Sequence, residues 1–191
     1  QPLSGQSILA NVLVERGEVD EALAMLHDLL MRAREHLGND APDVLVLEGK
    51  YMTLATDHHR WDIGDEIMDH RLERWQDDPA QLQSLAERIL DSDYKEYQQR
   101  YTSLALQSAQ RLVEVRGLED PEAAALLARS HLLGGDHVQA IAWMSRAIRS
   151  AGEDHDDMET YETILIGAQD AMDSIAPVNI QEEAASQPVT V

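Results

Sequence analysis

Apolar residues recur along this chain at three- and four-residue spacing, the period that lines one face of an α-helix. Leu9, Val12 and Leu13 form one stripe, and Ala22, Leu23, Leu26, Leu29 and Leu30 form a second. Between them Gly17 suits a helix C-terminus, where a left-handed residue is often needed. Asp20 and Glu21 suit the start of the next helix, where carboxylates meet the positive end of the dipole. The predicted unit is helix, short turn, helix. The same pattern returns late in the chain: Ala124, Leu127, Ala128, His131 and Leu132, then a turn at Gly134-Gly135-Asp136, then Ala140, Ile141, Met144, Ala147 and Ile148.

Two weaker units lie between. Residues 44–57 (Val44, Leu47, Tyr51, Met52, Leu54, Ala55) predict a first helix and residues 60–75 (Trp61, Gly64, Ile67, Met68, Leu72) its partner. Leu82, Leu85, Ala86, Ile89 and Leu90 followed by Leu104, Ala105, Ala109, Leu112 and Val113 predict another pair, with about seven extra residues in its turn. Pro42, Pro79 and Pro121 each fall just before a proposed first helix, where proline ends one unit and is tolerated at the start of the next. Ala22, Gly64, Ala105 and Ala140 take equivalent places, 42, 41 and 35 residues apart. Small residues there predict close helix approach, and the period is that of stacked helix pairs. The expected layout is one domain over 1–175, with units at about 4–34, 43–78, 80–118 and 121–152 and a capping helix at 156–175. A flexible C-terminal tail, carrying Pro177 and Pro188, is expected over 176–191.

Composition narrows the function. Apolar residues make up 43% of 191, enough for a core, but aromatics only 4% with no Phe, so the core is aliphatic and suits helix packing. With no cysteine there is no disulfide, thiolate metal site or Cys nucleophile. No apolar run approaches the roughly 20 residues a membrane helix requires, so no direct membrane insertion is expected. Acidic residues outnumber basic ones 36 to 15, a net charge of −21 that repels nucleic acid and favours a basic or neutral partner. The chain starts at Gln1 instead of Met, which favours a processed protein of the periplasm, cell envelope or exterior over a cytoplasmic one.

Residues 122–151 resemble a tetratricopeptide repeat through Leu127-Ala128, Gly135-Asp136, Ala140, Met144 and Ala147. Residues 4–30 resemble one through Leu9-Ala10, Gly17-Glu18, Ala22 and Leu26. The resemblance implies an all-α, right-handed α-solenoid of about four such units, and a scaffold or adaptor that binds a peptide, helix or subunit of a larger complex. By that analogy the concave groove is lined by Ser7, Asn11, Val14 and Glu15, then Thr53 and Asp57, then Glu87, then Ala125, Arg129 and Leu132. The groove is alternatively short, or filled by the last helix or the tail. A second resemblance covers residues 85–151, which are similar to the helical-repeat segment after a thioredoxin-like domain in some bacterial envelope proteins. It implies an accessory domain of a redox or other envelope enzyme whose catalytic part lies elsewhere, since this chain has no Cys-x-x-Cys.

Three clusters carry possible chemistry. Asp57-His58-His59-Arg60-Trp61-Asp62 is a polar turn with Trp61 packing inward, or a Zn²⁺ site; neighbouring histidines point apart on a helix and seldom share an ion. Asp154-His155-Asp156-Asp157 reads as the acidic start of the last helix and lacks the spacing of a calcium loop. Tyr94, Tyr97 and Tyr101 fall on one helical stripe, either as an exposed protein-binding patch or packed on a neighbouring repeat. No catalytic residue, metal or cofactor is expected, and the chain is read as a non-enzyme.

Overall fold

A computed structural model describes residues 2–152 and 155–185, with side chains described over 8–152 and 155–174. The chain is all-α: its described residues form nine helices and no strand. They fall into two compact units, residues 1–71 and 72–191.

The first unit contains α1 (Pro2–Glu15), α2 (Val19–Leu37), α3 (Pro42–Asp57) and most of α4 (Trp61–Trp75). Two of its turns, α1–α2 and α3–α4, repeat one device. Glu18 donates its backbone N–H to Leu13 O across five residues, with Gly17 left-handed at φ 81° between them. Arg60 donates to Ala55 O in the same way around His59, at φ 55°. This closure satisfies carbonyls that a helix end would leave bare. Glycine adopts the conformation without cost, whereas His59 adopts it against the repulsion of its own Cβ.

The second unit contains α5 (Pro79–Leu90), α6 (Lys95–Arg116), α7 (Pro121–Leu133), α8 (His137–Ala151) and α9 (Met158–Ala185). Its α7–α8 turn uses the same five-residue closure, Asp136 N–H to His131 O, around Gly135 at φ 79°. Asp78, Asp120 and Asp136 cap α5, α7 and α8 by accepting N–H bonds from residues two or three positions on. Pro42, Pro79 and Pro121 are each the first residue of a helix. Residues 123–128 of α7 are buried on every side. One flank meets Leu82, Ala86, Ala109, Leu112 and Val113, and the other meets Met144, Ala147 and Tyr161. A helix apolar all round belongs in the middle of a stack. Burial pushes the Tyr161 hydroxyl up to about 12, with Asp157 and Glu122 adding repulsion.

Ala22, Gly64, Ala105 and Ala140 are all buried, on α2, α4, α6 and α8. The third unit's expected seven-residue insertion in the turn is corrected: the turn is only 91–94, and the extra residues extend α6, which begins at Lys95. Gln98 holds this early start, donating its side-chain N–H to Leu90 O at 2.8 Å and its backbone N–H to Tyr94 O at 3.0 Å. Helix α9 runs through the 175 boundary drawn from periodicity, and residues 186–191 of the expected tail lie outside the described residues.

Candidate functional site: a cleft between α1 and α3

Helix α3 carries two faces. Val44, Leu47, Glu48, Tyr51, Met52 and Ala55 are buried. Val46, Gly49, Lys50, Thr53, Leu54 and Asp57 turn the other way, at the same helical spacing, into an open cleft of about 690 Å³. Helix α1 supplies the opposite wall with Ala10, Asn11, Val14 and Glu15. Buried Ala10 and Leu26 floor it. Asn11, Glu15, Thr53 and Asp57 are all exposed. Four of the groove residues expected from sequence, with Val14, therefore meet around one cleft; the side chain of Ser7 lies outside the described residues.

The position of α3 is held by a charge that sequence reading passed over. Glu48 is fully buried. Its Oε2 accepts from Arg34 Nη2 of α2, and its Oε1 from Arg71 Nε of α4, each at 2.6 Å. Arg71 is itself buried. The carboxylate thus ties three helices of the first unit together on the side away from the cleft. Its position between Val44 and Met52, one turn from each, was the available signal.

A smaller cavity of about 410 Å³ is lined by Asp20, Leu23, Ala24, His27, Asp28, Tyr51, Arg60 and Ile63. Arg60 Nη1 bonds Asp20 at 2.6 Å and its Nε bonds Asp62 at 3.3 Å. The hydrogen bond with Asp62 raises the Arg60 pKa and lowers that of Asp62. Burial, then the charge of Glu66, raises that of Tyr51. Beside this cavity the His58-His59 turn is exposed and Trp61 half-buried, with the His59 and Trp61 rings 5.9 Å apart. Among the described residues no group of three or more His, Asp and Glu is placed to hold a metal ion. Asp154 lies outside the described residues. No helix among the described residues is long and apolar enough to cross a membrane.

The remaining expected site residues belong to the second unit. Glu87 accepts from Gln83 Nε2 at 2.8 Å, Arg129 bonds Asp91, and Leu132 is half-buried. The three tyrosines divide: Tyr94 is exposed, Tyr97 half-buried, and Tyr101 buried with its ring edge-on to Tyr97 at 4.8 Å. Tyr101 is thus part of the packing and offers no surface to a partner.

The family model for the tetratricopeptide repeat matches residues 3–28 and 121–146, which are α1 with the first half of α2, and α7 with most of α8. A search of curated proteins found no match. Among solved structures, one described as "MamA RS-1 ArsTM double mutant" is similar at 18% identity, over 90% of this chain and 97% of that one, with a TM-score of 0.40. At that score the likeness is loose. The two repeat matches fall on the helix pairs that share the glycine turn and the buried small residue. Two stretches of this all-α chain, residues 3–28 and 121–146, are therefore tetratricopeptide-like helix pairs.

Proposed function

We propose that this protein is a scaffold that docks a segment of a partner protein in the α1–α3 cleft of its first unit. Tetratricopeptide repeats serve protein–protein interaction in general and are typically non-enzymatic. The observation that carries the reading is the cleft itself: about 690 Å³, apolar at its floor and polar at its rim, walled by α1 and α3 with Leu26 of α2 at its base. An apolar recess with a few placed polar groups is the usual form of a binding site. Nucleic acid is a poor occupant for a chain of net charge −21.

The test is peptide capture from a displayed library by the parent chain and by Thr53→Arg. Thr53 is exposed in mid-helix, so the substitution spares the fold, which circular dichroism checks. Peptides retained by the parent should be lost at least tenfold by the variant. Equal retention by both would overturn the cleft as the docking surface.

A further inference from the structure

We infer that the protein pairs with a second copy of itself through the bare apolar face of α1, the two helices running antiparallel about a two-fold axis. The cleft uses a different side of α1. Each residue turns an α-helix by about 100°. Ala10, Asn11, Val14 and Glu15 therefore share the arc that lines the cleft, while Ala10 and Leu13 point inward and are buried. Ile8, Val12 and Leu9 fall on a third arc, about 100° wide. All three are exposed, Ile8 by 64% and Leu9 by 47%. A contiguous apolar patch of this kind marks an interaction surface.

The two repeat matches show what such a face does when it is covered. Both ends of the first match lie 118 residues before those of the second. Ile8, Leu9 and Val12 thus correspond to Leu126, Leu127 and Ser130 of α7, all of them buried. Leu126 and Leu127 cluster with Leu82 and Ala86 of α5 and with Ala109 and Leu112 of α6. The Ser130 hydroxyl lies 3.4 Å from Ala105 O, also on α6. The same face is closed by a helix pair on α7 and stands open on α1.

Charge identifies the occupant. No charged side chain occurs in the first 14 residues, in a chain of net charge −21. Two copies repel one another over most of their surface, and α1 is where they can approach. Stacking of one copy's α9 on another's α1 would place Glu159, Glu162, Asp170 and Asp173, all exposed on α9, against an apolar patch. Such a polar outer face closes a repeat stack and does not extend it. Pairing α1 with α1 avoids that burial of charge. It also complements the helix poles. Helix α1 has no acidic residue in its first turn and no basic one in its last. In an antiparallel pair centred on Leu9, Glu15 stands about 9 Å from the axis, opposite the first turn of the other copy. Each carboxylate then meets the positive end of a helix dipole.

Sedimentation equilibrium of the intact chain tests the pairing, alongside Ile8→Glu and the control Val138→Glu. Val138 on α8 is as exposed as Ile8, at 64%, and circular dichroism checks that each variant folds. The parent should dimerise at micromolar concentration, and more tightly as salt screens the repulsion between copies. Dimerisation should be at least about tenfold weaker in Ile8→Glu, because a two-fold interface meets the new charge twice, and unchanged in Val138→Glu. Hydrogen exchange of the parent should slow in α1 as protein concentration rises, and stay constant in α9. A parent that remains monomeric would overturn the second copy as occupant. So would a dimer that Ile8→Glu leaves intact, one that Val138→Glu weakens equally, or growth into longer oligomers. The cleft reading is tested separately by Thr53→Arg, so either can fail without the other.

Discussion

Replacing Glu48 by glutamine removes one negative charge from between two guanidinium groups. Arg71 has 5% of its side chain exposed and Arg34 18%, and both bond the carboxylate at 2.6 Å. The glutamine amide would also present an N–H₂ donor to a donor, so one of the two bonds is lost outright. Breaking a buried ion group in this way costs about 3–5 kcal/mol. A unit of 71 residues has a total stability of roughly 4–11 kcal/mol at 0.05–0.15 kcal/mol per residue, so the first unit should lose much of its protection. Because the chain has two units, a single melting curve is a poor readout. Hydrogen exchange by mass spectrometry resolves the difference: α2 and α3 should exchange faster by the equivalent of about 3 kcal/mol or more, while α7 and α8 serve as the internal reference. The triple variant Glu48→Leu/Arg34→Met/Arg71→Met should recover most of that loss, since an apolar replacement of a whole buried ion group is often neutral. Protection in α2 and α3 within about 1 kcal/mol of the parent, or a triple variant no better than Glu48→Gln, would refute the account of the triad.

Three smaller effects follow from the same geometry. His59 holds a left-handed turn position that glycine fills in the other two matching turns, so His59→Gly should stabilise the first unit by up to about 1 kcal/mol in denaturant unfolding. Asp120 caps α7 by accepting from the Ala123 N–H at 2.8 Å; Asp120→Ala should lower second-unit stability by about 1 kcal/mol. Burial raises the Tyr161 pKa from 10.0 to about 12, so its contribution is fully present below pH 10, shrinks as pH rises and is lost through pH 12. Alkaline unfolding of the α8–α9 region followed by hydrogen exchange should be less steep in Tyr161→Phe than in the parent over that window.

Much of the fold is legible because it is periodic. The glycine turns at Gly17 and Gly135, the prolines that open α3, α5 and α7, and the small residues at Ala22, Gly64, Ala105 and Ala140 each report a local requirement that one residue type meets. The third unit reads less well. Its early helix start depends on Gln98 reaching back to Leu90 O, a contact outside any hydrophobic period. Of the site, Asn11, Glu15, Thr53 and Asp57 are reached through the repeat resemblance, which assigns the groove to the first helices. Val46, Gly49 and Lys50 share their face and were passed over, since an exposed valine, a glycine and a lysine look like ordinary surface. Glu48 reads as surface for the same reason, although it shares the spacing of Val44, Met52 and Ala55. A carboxylate becomes a core residue only when two distant arginines arrive, and their arrival is tertiary.

The central claim is that partner segments dock between α1 and α3. Backbone amide chemical shifts of the isotope-labelled chain, titrated with a peptide selected as above, test it most directly. The account predicts that the largest changes fall on Asn11, Glu15, Gly49, Thr53 and Asp57 and disappear in Thr53→Arg. Changes confined to the second unit, or a pattern that Thr53→Arg leaves intact, would contradict it.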